Sequence, residues 1–423
     1  MLTLPSWWPQ RTLRYWLCSF SILVGAMAIQ PYLETRLNLN DLRNWLFQAL
    51  TESPTNPSLP RFAKLILMDD RDYWQGPLAH RSPTNRRYLA KLIRAADAAD
   101  ASAIALDIDM RLADPKAAAV LGHYSVIESE YRAETEDLIR SIGDVSQRRP
   151  LVLSRGLRGP IGGPFDLRAD VFQVYGICST LRSDGHWENS GTAEFPLNAQ
   201  SRQNLSCGYI SLMPDKRQIP PPASIVGLSG KLDAFPLALV RAHDSEALAR
   251  LPSGKLYASY IPEAAARNPK FALSATSLLK NPAAAKSLLQ GWPVIIGASW
   301  HAQTFGEGPL VDSHDTPIGT VSGVLIHENI AEAVDSKRVY RSLPAWGMTA
   351  IDFIVGLGCA AAFALTSSWW RALLALVGVG IVLFCAQWLA LQLVGAFIEV
   401  FLPVLGLGIH AIADRVLYAD NQH

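Results

Sequence analysis

Acidic side chains recur at the ends of apolar runs: Asp69-Asp70 follow Leu65-Ile66-Leu67-Met68, and Asp107-Ile108-Asp109 follow Ala103-Ile104-Ala105-Leu106. Further on, Asp312-Ser313-His314-Asp315-Thr316-Pro317-Ile318-Gly319 is followed by Gly323-Val324-Leu325-Ile326-His327-Glu328-Asn329. Asp, His and Asp within four residues, with a second His and a Glu nearby, form an inventory suited to a cation or a small polar ligand. The spacing meets no fixed metal motif such as H-E-x-x-H. The same residues also read as a turn with Asx-type side-chain bonds over Asp312–Pro317, followed by a helix capped near His327. Gly297-Ala298-Ser299-Trp300-His301 adds a serine and a histidine just past a strand, where α/β proteins often bind ligands. A serine hydrolase needs an orienting acid and an oxyanion hole, and the sequence locates neither. No nucleophile elbow, Walker motif or dinucleotide-binding glycine fingerprint is present. The candidate ligand-binding residues are Asp69, Asp107, Asp109, Asp312, His314, Asp315 and His327; no catalytic residue, metal ligand or cofactor is assigned, and the chain reads as a non-enzyme.

The elements that must position these groups follow from hydrophobic pattern. Phe62–Asp70 reads as a buried strand, Asn85–Ala96 as a helix with Leu89, Leu92 and Ile93 inward, and Ala103–Asp109 as a second strand. Strand, helix, strand at this spacing is a βαβ unit, so the two strands should be parallel with their carboxyl ends side by side. Asp69, Asp70, Asp107 and Asp109 would then gather at one sheet edge. A helix over Glu128–Ile142 and a strand over Pro150–Ser154 come next, then an irregular stretch from Gly156 to about Pro222. Phe235–Ala242, Ala272–Lys280 and Ala283–Leu289 read as helices and Trp292–Ala298 as a strand, while Gly323–Val334 turns from strand into helix. The fold class expected is α/β, with a mixed, largely parallel sheet flanked by helices.

The charge balance of 38 − 37 = +1 gives no basic excess, so no nucleic-acid partner is expected, and 49% hydrophobic against 18% charged residues points to a membrane. The excess is clustered. Residues 13–30 make one span, with Arg11 and Arg14 before it and no acid, which places the N-terminus 1–12 in the cytoplasm. Ala26-Met27-Ala28 leaves a cleaved signal peptide as the rival reading. Three more spans are expected at 346–366, 371–390 and 394–414, with Arg371 and Arg415 inside and the tail 415–423 cytoplasmic. Residues 31–342 form the large outside domain between one α-helical transmembrane segment before and three after. Asp352, Glu399 and His410 within spans suit interfacial placement or helix–helix hydrogen bonds. Cys18, Cys359 and Cys385 fall in spans, whereas Cys178 and Cys207 lie outside, where a disulfide between them would close a loop of about 30 residues.

The order of these motifs resembles the CHASE2 domain, an extracytoplasmic sensor domain of bacterial signalling proteins. The matching pieces are Leu65–Asp70, Pro83 before the helix with Leu89 and Ile93, Ala103–Asp109, and Gly208-Tyr209-Ile210 with Asp215-Lys216-Arg217 and Ile219-Pro220. Val294–Ala298, Asp312–Gly319 and Gly323–Asn329 continue the match, inside a frame of one span before and three after. The resemblance implies a multi-pass protein of the bacterial inner membrane, its large domain periplasmic, which senses an unknown small ligand or envelope protein. It also implies a homo-oligomer. Family members usually carry a cytoplasmic kinase or cyclase, whereas only VLYADNQH follows Arg415 here, so a separate cytoplasmic or envelope signalling partner is expected. The competing reading is a scaffold subunit of an envelope complex without a ligand of its own, and behind it a metal-dependent or serine hydrolase.

Overall fold

The protein is described from a computed structural model, which describes residues 18–25, 47, 50, 62–79, 81, 84–108, 128–158, 173–175, 199–224, 231–260, 268, 270–343, 345–364, 369–397, 407–410 and 412. The chain divides into two compact units, residues 52–339 and residues 1–51 with 340–423.

The first unit is built on a parallel sheet. Its strands are β1 (Lys64–Met68), β2 (Ala103–Asp107), β3 (Leu151–Arg158), β4 (Gln173–Tyr175) and β5 (Leu205–Tyr209). Shorter pieces β6 (Ala223–Ser224), β7 (Lys231–Leu232) and β8 (Leu256–Ala258) precede β9 (Ala272–Ser274) and β10 (Pro293–Ala298). Parallel pairing gives the order β5-β3-β2-β10-β1-β9, with β4 antiparallel on the far end of β3. Runs such as LILM and VIIG are apolar at nearly every position because both faces of the sheet are covered. Alternation still sorts them. Ile66, Met68, Ile104, Leu106, Leu153 and Ile296 face one layer, while Leu65, Ala105, Val152 and Ile295 face the other.

The first layer contains α1 (Arg86–Ala98), α2 (Glu128–Ser146), the short α3 (Ala199–Asn204), and, later in the chain, two more short helices over Ala275–Lys280 and Pro282–Leu289. Asn85 opens α1 by accepting the Tyr88 N–H at 3.1 Å. The opposite layer is α4 (Phe235–His243), α5 (Ser245–Ala249) and, beyond the two short helices now labelled α6 and α7, α8 (Gly323–Asp335). A hairpin of β11 (Ser313–Thr316) and β12 (Gly319–Ser322) leads into α8.

Several expectations are corrected here. β1 and β2 are parallel, but β10 lies between them, so their carboxyl ends are not side by side. The reason is handedness: from β9, outside β1, a right-handed crossover through α6 and α7 on the α1 side carries the chain past β1. Ala272–Ser274 is an edge strand rather than the start of a helix. The stretch after Gly156 is not wholly irregular, since β5 joins the sheet at β3. Asp312–Pro317 is the first arm of a hairpin, and α8 starts at Gly323 rather than near His327.

In the second unit, β13 (Val339–Ser342) contributes Arg341 and Ser342 to a short parallel pairing with β14 (Ala396–Phe397). Between these come α9 (Ala345–Ala364) and α10 (Trp369–Val394). Among the described residues these two helices are long and apolar enough to cross a membrane, with windows Trp346–Phe363 and Trp370–Leu391 of mean hydropathy 1.5 and 2.3. Four spans were expected. Of the first, residues 18–25 are helical, and 13–17 and 26–30 lie outside the described residues. The fourth cannot run as a helix from 394: Gly395 turns the chain at φ +60, and Ala396–Phe397 pair as a strand. The remainder of that segment, Glu399 included, is described only at residues 407–410 and 412. Leu23, Cys359, Ala360, Phe363 and Leu407 form a core, and a Cβ at Gly356 would overlap Leu23. Close helix approach through glycine is the packing mode of membrane helices. Asp352 is buried within this unit.

Candidate functional site

The site follows from how the sheet is wound. Chain leaving β1 and β2 passes to the α1 layer, whereas chain leaving β10 returns to α8 in the opposite layer. Neighbouring strands whose connections part in this way leave a crevice at their carboxyl ends. Gly297, at the end of β10, lets α8 seat directly on the strand, because a Cβ there would overlap Val324.

Asp107 at the end of β2 and His327 in the second turn of α8 meet in this crevice. Their side chains are 7% and 2% exposed, and His327 Nε2 stands 3.9 Å from Asp107 Oδ1, too far for a hydrogen bond. His327 Nδ1 is buried with no hydrogen-bond partner. The ring of Phe235 packs against the imidazole, centroids 5.3 Å apart. Burial, reinforced by the charge of Asp312, pushes the Asp107 carboxyl up to about 8. Burial also pushes His327 down to about 4, against the opposing pull of Asp312. Near pH 6 the two face each other uncharged.

Asp312 closes the crevice from the outside. It takes a left-handed backbone, φ +55, which aspartate tolerates better than most residues. Its carbonyl accepts the Gly323 N–H at 2.9 Å, and its carboxylate sits where a Gly323 Cβ would be. The positive end of α8 is therefore already covered by an acid. His314 Nε2 lies 2.9 Å from Asp312 Oδ1. Lys216 is half-buried, and burial lowers its pKa while Asp312 and Asp215 pull it back.

A second cluster lies at the end of β1. Asp70 accepts three hydrogen bonds from the segment 299–312: His301 N–H at 2.7 Å, His301 Nδ1 at 2.7 Å and Gly306 N–H at 3.1 Å. Burial works to raise the Asp70 carboxyl, but these donors outweigh it and hold the group below its ordinary value. The Trp300 ring stacks on Tyr73 at 4.7 Å, and Trp74 Nε1 donates to the His301 carbonyl at 3.1 Å. Both aromatics belong to one π-helical turn, Arg71–Gln75. Residues 299–312 thus form a flap pinned at its start by Asp70 and ending in Asp312 at the crevice.

Of the predicted residues, the structure brings together Asp107, Asp312, His314 and His327. Asp69 instead accepts the Arg71 and Asp72 N–H groups and so fixes the turn after β1. Asp315 is exposed in the hairpin, where it accepts the Thr320 hydroxyl at 2.7 Å. Asp109 lies outside the described residues. Cys207 is disulfide-bonded, and Cys178 lies outside the described residues. Among the described residues no three His, Cys, Asp or Glu side chains are grouped to hold a metal ion. Sequence reasoning missed the pairing of Asp70 with His301 and the place of Lys216. The orienting acid that the sequence could not locate for His301 is Asp70. The only available signal was that both lie just past strands.

Residues 18–365 match the family model described as the CHASE2 domain. No curated protein and no solved structure matches the chain.

Proposed function

Because the chain belongs to the CHASE2 domain family, a family of sensory extracellular domains, we propose that it senses a small ligand at the Asp107–His327 crevice and passes the signal through its membrane helices. In this reading the unit 52–339 lies in the periplasm of a bacterium, the apolar helices lie in the inner membrane, and a separate signalling protein receives the output.

The observation that carries the reading is the course of α8. Its first two turns border the crevice through Gly323, Val324 and His327. Near its other end, Glu332 accepts the Phe62 N–H and pairs with Arg338 Nη2 at 3.1 Å. Phe62 and Arg338 stand on the two chain connections that lead to residues 1–51 and 340–423. A helix of 13 residues is about 20 Å long, so one rigid rod links the crevice to both connections. A ligand shifts such a rod only by binding one of its two positions more tightly than the other.

The test is purification of the tagged full chain from its native membrane in mild detergent, with mass spectrometry of what accompanies it. A signalling protein recovered with the parent, whose output changes in Glu332→Ala at equal recovery, supports the reading. A homogeneous homo-oligomer without any partner would sink it.

A further inference from the structure

The proposal concerns the kind of ligand and rests on the sensor reading above. We propose that the crevice binds a ligand carrying a protonated amine, with Asp107 and Asp312 receiving the ammonium group and His327 Nδ1 supplying a further hydrogen bond.

Four observations lead there. First, the Asp107 carboxyl makes no hydrogen bond with the described residues, and among these the neighbour able to carry a positive charge, His327, stays at 3.9 Å. Second, the other ring nitrogen of His327, Nδ1, is buried without a partner. Buried polar groups are normally satisfied, and an unsatisfied ring nitrogen in the crevice is a place for an occupant. Third, the site does not suit an anion. The start of α8 is covered by the Asp312 carboxylate, and Asp107 adds a second acid. Fourth, it does not suit a bare metal ion, since no three ligating side chains converge among the described residues. Metal–oxygen bonds of about 2.0–2.6 Å demand that convergence. Ammonium N–H groups reach acceptors at about 2.8 Å and so serve a wider crevice.

Among the described residues the other charged groups facing the crevice are accounted for. His314 is bonded to Asp312, and Lys216 faces Asp312 and Asp215. Among the described residues Asp107 is the acid left without a positive neighbour. At neutral pH it keeps its proton, and an arriving ammonium favours the carboxylate. Binding then expels one proton: ligand–NH3+ and Asp107–COOH become the ammonium–carboxylate pair and a proton taken up by buffer.

Titration calorimetry of the full chain in detergent at pH 7, in two buffers of different ionisation heat, reads both affinity and proton release. The probes are ethylammonium chloride and glycine, with sodium acetate as the amine-free control. Saturable binding of either amine with release of close to one proton is expected. Asp107→Asn mimics the protonated acid in shape, so it should melt close to the parent while binding at least tenfold more weakly and without proton release. Asp312→Asn, on the more exposed rim, is the second variant and should also bind at least tenfold more weakly. No binding of either amine at 100 mM, equal binding by parent and both variants, or equal binding of acetate would overturn the proposal. If no amine binds while the partner's output still depends on Glu332, the amine class falls and the sensor reading stands.

Discussion

Asp107 and His327 shift in opposite directions for the same reason, burial, and their effects on stability oppose each other over part of the pH scale. The unfolded Asp107 loses its proton near 3.8 whereas the folded one keeps it to about 8. Between these values the folded state holds the extra proton, so this group makes stability fall as pH rises. The unfolded His327 takes a proton below 6.5 and the folded one only below about 4. Over that window the unfolded state holds the extra proton, and stability rises with pH. From pH 4 to 6.5 the two slopes cancel. From 6.5 to 8 only Asp107 acts, and up to about 2 kcal/mol of stability should be lost at about 1.4 kcal/mol per pH unit. Thermal melting of the full chain in detergent should therefore show a falling limb above pH 6.5 in the parent. Asp107→Asn, which cannot ionise, should flatten it. A parent melting point constant from pH 6.5 to 8 would show that the carboxyl is not held protonated.

At the scale of elements, the contacts that shape the crevice are tight and specific. Gly297→Ala places a methyl group against Val324, which should lift α8 off β10 and cost about 1–3 kcal/mol in chemical unfolding; an unchanged midpoint would mean that the helix is not seated there. The flap depends on a different acid. In Asp70→Asn the His301 and Gly306 N–H groups lose their charged acceptor, so hydrogen exchange at these two amides should quicken at least tenfold while β1 amides stay protected. How much of this was legible varied with the range of the interaction. β1, α1, β2 and β10 announced themselves because buried parallel strands are apolar runs and α1 is an amphipathic helix with an Asn cap. β9 has only three residues, and β5, Leu-Ser-Cys-Gly-Tyr, is no continuous apolar run. The placement of β10 between β1 and β2 is set by crossover handedness, which no local pattern records. The same holds for the Asp70–His301 pair, 231 residues apart in sequence. Of the residues singled out from the sequence, Asp107, Asp312, His314 and His327 are neighbours, whereas Asp69 and Asp315 bond groups of their own turns, as acids in turns commonly do.

For the molecule as a whole, the decisive surface is that of α10. Leu374, Val377, Ile381, Val382 and Leu393 are each more than half exposed, and only 11% of its apolar window is buried. At about 1 kcal/mol for each half-exposed side chain left in water, these five alone approach the whole stability of a marginal domain. Lipid removes that cost. The cysteines turn this into a measurement. Cys385 on α10 and Cys18 on the helical stretch 18–25 are exposed, Cys359 on α9 is buried and free, and Cys207 is disulfide-bonded. In sealed native membrane vesicles, a lipid-soluble maleimide should modify Cys385 and Cys18, and a charged, membrane-impermeant one should modify neither from either side. Cys359 should resist both until the chain is unfolded. On the proposed periplasmic placement, Cys207 should react with the impermeant reagent only after reduction, and only in vesicles whose periplasmic face is outward. Reaction of Cys385 with the impermeant reagent in intact vesicles would place α10 in water, and both the membrane frame and the signalling route through it would have to be abandoned. Reaction of Cys207 before reduction would show that this cysteine is not held in a disulfide.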